Sequence, residues 1–272
     1  MSKPKAFYFP GKLGDALLQW PVAEQWLRDH DEQAEVWIDP TCTPAQSLFA
    51  AEKTVSTVKI VAPADNYTCG GQPWQGKFGT DEHLQYEIVP MGFRAFPQRQ
   101  ITLQTALDCP LKIDTKRLAT EPAFHVEHSG KANRVVLHGT FASHNSGVPR
   151  FWRVLHDIKA DLEANFDEIV FVGTPDERGR AMELYPPSSQ WGFFDDHGSF
   201  LELAQEIVSA RLVMAAGSSV AALGGVLKVP TLRVHDPIGQ APKVIWAGLG
   251  DNQWNEEEVA IRTLWPEILR TV

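Results

Sequence analysis

The chain has 272 residues, 43% of them hydrophobic, and a formal net charge of -9, so it can bury a core as one large or two small domains and is not a disordered polyelectrolyte. The acidic balance argues against broad attraction to nucleic acid, and the charge-free stretch 212–227 is shorter than the roughly 20 residues that cross a bilayer. Cys42, Cys69 and Cys109 are odd in number and lack C-x-x-C spacing, which suggests neither a disulfide framework nor a zinc cluster and, with no signal peptide in view, points to a reducing, cytoplasmic location.

Ala6 to Phe9 is predicted as a buried strand, and the glycine-flanked loop through Lys12 and Gly14 leads to a helix from Asp15 to about Arg28 with Leu18, Val22 and Trp26 on its apolar side. Glu35 to Ile38 is a second strand ended by Pro40, Pro44 to Ala51 a short helix, and Val58 to Val61 a third strand. The run 63–79, with Tyr67, Trp74 and Phe78 among turn formers, reads as an exposed loop. Prolines 90, 97 and 110 leave 82–118 without a clear period, and Glu121 to Lys131 reads as a link between domains, with Val126 at the end of a short strand.

Beyond the link the rhythm is regular. Strands are predicted at Arg134 to His138, Glu168 to Val172, Trp191 to Phe194, Leu212 to Ala216 and Thr231 to Val234, with helices over Arg150 to Asn165, Asp176 to Leu184, Ser199 to Ser209 and Val220 to Leu227. Trp254 to Val272 is expected as a helix with Pro266 inside it. Alternating strands and helices give an α/β fold with a doubly wound parallel sheet.

Such a sheet binds ligands outside its carboxyl edge. Lys12 and Gly14 lie at one strand end. His138, Gly139 and Thr140 lie at another, Gly173 and Glu177 follow a third, Ser199 precedes a helix, and Gly217, Ser218 and Ser219 follow the strand 212–216. Helix-start N–H groups and hydroxyls at such turns suit a diphosphate without a metal. Asp15 is equally placed to cap its helix, and Glu177 to serve as a first-turn helix acid. The G-x-x-x-x-G-K-[ST] loop is absent, no D-x-D stands where a manganese-dependent transferase would need it, and the remaining histidines lack metal-ligand spacing.

Several stretches occur together in register: F-P-G-K-L-G-D-A-L-L-Q-W-P-V at the start, L-H-G-T at 137–140, V-G-T-P-D-E-R at 172–178, and a small-residue turn, an alanine-glycine helix and V-P from 217 to 230. This set resembles the heptosyltransferases, glycosyltransferase family 9. The resemblance implies a GT-B fold, two Rossmann-like domains with parallel sheets facing a central cleft: 1–128 on the acceptor side, 129–252 binding a nucleotide-sugar, and 253–272 a helix crossing back to the first domain. It makes Asp15 the catalytic base, puts Thr140 near phosphate and Glu177 near the nucleotide ribose, and implies a metal-independent transferase with no cofactor beyond its donor substrate. Gly217 and Ala222 stand where the family carries aspartate and histidine, and Arg150 stands near a loop where it carries lysine, so the donor sugar and base stay open. The implied partners are a nucleotide-sugar and a glycan or other hydroxyl acceptor. A modified DNA base, as for phage GT-B enzymes, is a less favoured acceptor, and a noncatalytic nucleotide-sugar-binding protein is the reading from another class.

Overall fold

The computed structural model describes residues 3–10, 12–62, 78, 84–91, 111, 114–128, 130, 132–139, 150–195, 197–216, 218–234, 253–256 and 261–272. Its first half contains β1 (Lys5–Phe9), α1 (Leu13–His30), β2 (Ala34–Ile38), a 3₁₀ turn (Pro40–Ala45), α2 (Gln46–Ala50), β3 (Val55–Ile60), β4 (Glu87–Pro90) and α3 (Thr115–Thr120). The second half contains β5 (Arg134–His138), α4 (Arg150–Asn165), β6 (Glu168–Phe171), α5 (Pro175–Leu184), β7 (Trp191–Phe193), α6 (Phe200–Ser209), β8 (Leu212–Ala216), α7 (Ser219–Val226), β9 (Thr231–Val234), β10 (Gln253–Glu256) and α8 (Ile261–Thr271).

The strands form two sheets, β3-β2-β1-β4 and β10-β9-β8-β5-β6-β7, and every pairing is parallel. Each order doubles back, the first between β1 and β4 and the second between β5 and β8. Ligands settle at such switch points, because the chain there departs to opposite faces of the sheet and leaves a crevice.

The central strands β1, β5 and β8 are buried on both faces because parallel sheets are covered on both. Phe7 and Phe9 face the same core as Leu17, Trp20 and Leu27 of α1, and that core continues through Val220, Leu223 and Val226 of α7 to Val136, Val213 and Ala215 of the second sheet. Helices α1 and α7 therefore pack against each other between the sheets. Trp20 reinforces the junction: its Nε1 donates to the Ala123 carbonyl at 2.8 Å, while the Ala123 N–H donates to Val226 at 2.9 Å. A second core covers the other face of the six-stranded sheet, with Leu137, Phe151, Leu155, Met214 and Leu232 in it.

Three expectations are corrected. Trp254 lies on β10, not in a helix, and the terminal helix starts at Ile261. Trp265 and Ile268 of that helix pack into the core of the six-stranded sheet, and Arg211 bonds the Val272 carbonyl. Glu87–Pro90 forms an unforeseen strand beside β1, with Pro90 at its end on the sheet's edge, where a missing N–H is tolerated. Val126 lies in irregular chain, not in a strand. Tyr67, Trp74, Cys69 and Cys109 lie outside the described residues.

Candidate functional site

Three strand ends of the six-stranded sheet converge. His138 ends β5, Thr174 and Glu177 open α5 after β6, and Ser218 precedes α7 after β8. The His138 Nδ1 lies 3.0 Å from the Ser218 Oγ, and its Nε2 lies 3.6 Å from the Glu177 Oε2, an electrostatic contact longer than a close hydrogen bond. His138 is 6% exposed. Glu177 Oε2 also accepts the Thr174 N–H and the Thr174 hydroxyl, each at 3.0 Å. Burial opposes ionisation of Glu177, yet the attraction of His138 and the Thr174 bonds outweigh it and hold the carboxyl at about 2.

Two glycines make this convergence possible. Gly173 has φ +139, and a Cβ there would come within 2.9 Å of the Glu177 Oε2 and 3.3 Å of the His138 ring, so only glycine lets the turn close over the pair. At Gly139 a Cβ would lie 2.5 Å from Trp152 and 2.8 Å from Phe151; the backbone leaving β5 runs directly against the aromatic start of α4. Arg150 heads that helix and is 7% exposed.

The first lobe presents its own helix start to this cluster. The Asp15 Oδ2 accepts the Lys12 N–H at 3.2 Å, so the carboxylate sits in the first turn of α1, where the helix dipole favours it. The position of a Cβ on Gly14 lies 3.7 Å from the Ser219 Cα, which brings the openings of α1 and α7 together. Beneath them Cys42 is wholly buried; burial pushes its thiol up to about 11, with the nearby charges of Asp39 and Asp15 contributing. Asp39 caps the 3₁₀ turn by accepting the Thr41 N–H at 2.9 Å.

The structure thus brings Gly14 and Ser219 together, and gathers His138, Gly173, Glu177 and Ser218, with Gly139 and Arg150 at the base. Lys12 is exposed at the head of α1. Ser199 does something else: its hydroxyl caps α6, accepting the Glu202 N–H at 3.3 Å. Thr140, Gly217 and the 235–237 segment lie outside the described residues. Thr174 stands in the V-G-T-P-D-E-R stretch read from the sequence, but its capping role was not assigned there, although T-P-D-E is a capping-box signature. Asp39 was missed as well, and its D-P pairing marks a cap followed by a first-turn proline.

A second charged group lies toward the other end of α1. Glu24, Glu52 and His125 bring potential metal-ligand atoms within 4.8 Å of one another, but each carboxylate is engaged. Glu24 accepts Arg28 Nε at 2.6 Å and the Thr54 hydroxyl; Glu52 accepts the His125 N–H at 2.6 Å. The Arg28 guanidinium supplies the positive charge of this cluster.

No family model matches the chain, and no curated protein matches it. Solved structures do. The E. coli heptosyltransferase WaaC with ADP has a TM-score of 0.65 at 13% identity, covering 99% of this chain and 100% of that one. The same E. coli enzyme with ADP-2-deoxy-2-fluoro heptose has a TM-score of 0.62 at 12% identity over 98% of each chain. A glycosyl transferase family 9 protein from Veillonella parvula has a TM-score of 0.61 at 10% identity, over 99% of this chain and 90% of that one. The fold is that of the family 9 heptosyltransferases. Both sheets, not one shared lobe, carry the likeness. In this heptosyltransferase fold the paired openings of α1 and α7 lie between the lobes, at the carboxyl edges of β1 and β8. Among the described residues no helix is long and apolar enough to cross a membrane.

Proposed function

We propose that the protein is a GT-B glycosyltransferase that moves a sugar from a nucleotide-sugar to an acceptor hydroxyl. The observation that carries this reading is the approach of Gly14 to Ser219: it sets the acidic start of α1 beside the anion-favouring start of α7.

In the reaction the acceptor oxygen attacks the anomeric carbon and the bond from that carbon to the diphosphate breaks. The Asp15 carboxylate takes the acceptor's proton as its hydroxyl becomes acidic in the transition state. Charge gathers on the departing diphosphate, and the first turn of α7, Ser218, Arg150, Lys12 and Thr140 stabilise it. Glu177 orients the nucleotide ribose. No step of this scheme calls for a metal. The lobes divide near residue 128, the first taking the acceptor and the second the donor. The solved neighbours hold ADP and an ADP-heptose analogue, so adenine nucleotide sugars are the first donors to test and a glycan the first acceptor. The net charge of -9 disfavours a nucleic-acid acceptor.

A thermal-shift screen against ADP-, UDP-, GDP- and CMP-sugars tests the reading. One nucleotide class should stabilise the protein through binding linkage, and that donor should then be turned over by the wild type. No stabilisation by any of them at millimolar concentration would sink the proposal. Binding without turnover would favour a noncatalytic nucleotide-sugar-binding protein.

A further inference from the structure

Three helices of the second lobe begin with a hydroxyl residue, and one of them behaves differently. Thr174 turns its hydroxyl onto the Glu177 N–H at 3.4 Å, and Ser199 turns its hydroxyl onto the Glu202 N–H at 3.3 Å; each satisfies a helix-start donor in the usual way. Ser218 makes no such cap on α7. Its Oγ is drawn instead to the His138 Nδ1 at 3.0 Å, so the first turn of α7 has no side-chain cap at the switch point where a diphosphate would lie.

We infer that His138 is a positioning residue that couples a proton to donor binding by turning the Ser218 hydroxyl. The inference rests on the cleft being a nucleotide-sugar site. Without donor, the ionised Glu177 beside Nε2 favours the tautomer with its proton there, and Nδ1 accepts the Ser218 O–H. When a diphosphate arrives, a solvent proton adds to Nδ1, the Nδ1–H donates to the Ser218 Oγ, and the serine O–H rotates onto a phosphate oxygen. No bond of the donor forms or breaks in this step. The imidazolium lies between two negative groups, Glu177 behind and the diphosphate in front, which favours the added charge.

Charged residues stand on the elements around His138. Glu177 comes from the start of α5, Arg150 from the head of α4, Lys12 and Asp15 from the head of α1 beyond Ser219, and Arg233 from β9, one strand past β8. Strand β8 and helix α7 contribute no charged side chain. A diphosphate adds negative charge on the side of His138 away from Glu177, and proton uptake accompanies its binding.

Titration calorimetry tests the coupling. ADP-glucose, UDP-glucose and GDP-mannose serve as probes, since their diphosphate esters exchange no proton in the range used, and each is measured in buffers of different ionisation enthalpy between about pH 5.5 and 8. The expected result is net uptake of up to about one proton per site, with affinity falling by up to about tenfold per pH unit toward the alkaline end. His138→Gln should bind with no uptake and a flat pH profile. Should that variant not fold, Ser218→Ala removes the hydroxyl that reads the proton and should flatten the same profile. Wild-type binding whose heat is independent of buffer overturns the coupling and leaves the transferase reading standing. Binding of none of the three, together with no stabilisation by any nucleotide-sugar in the thermal-shift screen, overturns both.

Discussion

Gly14 and Ser219 meet start to start: a methyl group on Gly14 would rest 3.7 Å from the Ser219 Cα and 3.8 Å from its nitrogen. That is ordinary van der Waals contact, so Gly14→Ala should fold and gain up to about 1 kcal/mol from its lower unfolded-state entropy. Gly14→Phe has no such room and should cost about 1–3 kcal/mol or part the two helix starts. Equal urea midpoints for the two variants would show that the helices do not meet there.

Asp15 combines a structural and a proposed chemical role, and the two can be separated. Asp15→Asn keeps a side-chain oxygen for the Lys12 N–H and should cost only about 1 kcal/mol of stability. Transfer to an acceptor should nevertheless fall by about a hundredfold or more, as expected for a lost general base. Single-turnover assays with the screened donor measure this, and unchanged turnover would remove Asp15 from the chemistry.

Gly139 has no space for a side chain. Gly139→Ala sets a methyl 2.5 Å from Trp152 and 2.8 Å from Phe151, and the aromatic rings cannot retreat because both belong to the core of the second sheet. A loss of about 1–3 kcal/mol is expected, read as a lower melting temperature. Trp152→Leu in the same chain should recover part of it.

Glu177 gives the fold an acid limit. Its carboxyl is held at about 2 against an ordinary 4.5, so the folded state binds its proton less readily than the unfolded chain. The stability it contributes is complete above about pH 4.5 and declines as pH falls toward 2. A urea series across that window should show a steeper loss for the wild type than for Glu177→Gln; parallel curves would mean the carboxylate is not held by His138 and Thr174.

Glu52 anchors the segment that joins the lobes. Its buried carboxylate accepts the His125 N–H at 2.6 Å and approaches the His125 Nδ1 at 2.9 Å. Glu52→Ala should cost about 1–3 kcal/mol by leaving these donors without their partner, and the amide of His125 should lose hydrogen-exchange protection before the sheets do. Retained protection at His125 would contradict this.

The regular elements of the second half could be read from the chain because each strand is a short apolar run and each helix has one apolar stripe. Arg134–His138, Arg150–Asn165, Leu212–Ala216 and Thr231–Val234 have their predicted bounds. Glu87–Pro90 could not be read: four residues with a proline at one end carry no period, and only pairing with β1 makes them a strand. Trp254 was drawn into a helix by the apolar spacing that follows it, whereas pairing with Leu232 places it on β10. The resting place of the last helix was likewise invisible, since an apolar stripe states that a face is buried and not which surface buries it.

What the sequence determined alone is therefore local: where strands end, which turns are small, and that Asp15, His138, Glu177 and Ser218 each stand at a strand's carboxyl end or a helix's first turn. Only the tertiary structure decided which of these turns meet. Ser218 follows His138 by 80 positions, and their hydrogen bond exists because β5 and β8 pair as neighbours; Ser199, equally well placed along the chain, caps its own helix instead. Hydrophobic periodicity is set by each segment's own geometry, whereas the convergence of side chains depends on strand order, which is selected by the packing of the whole.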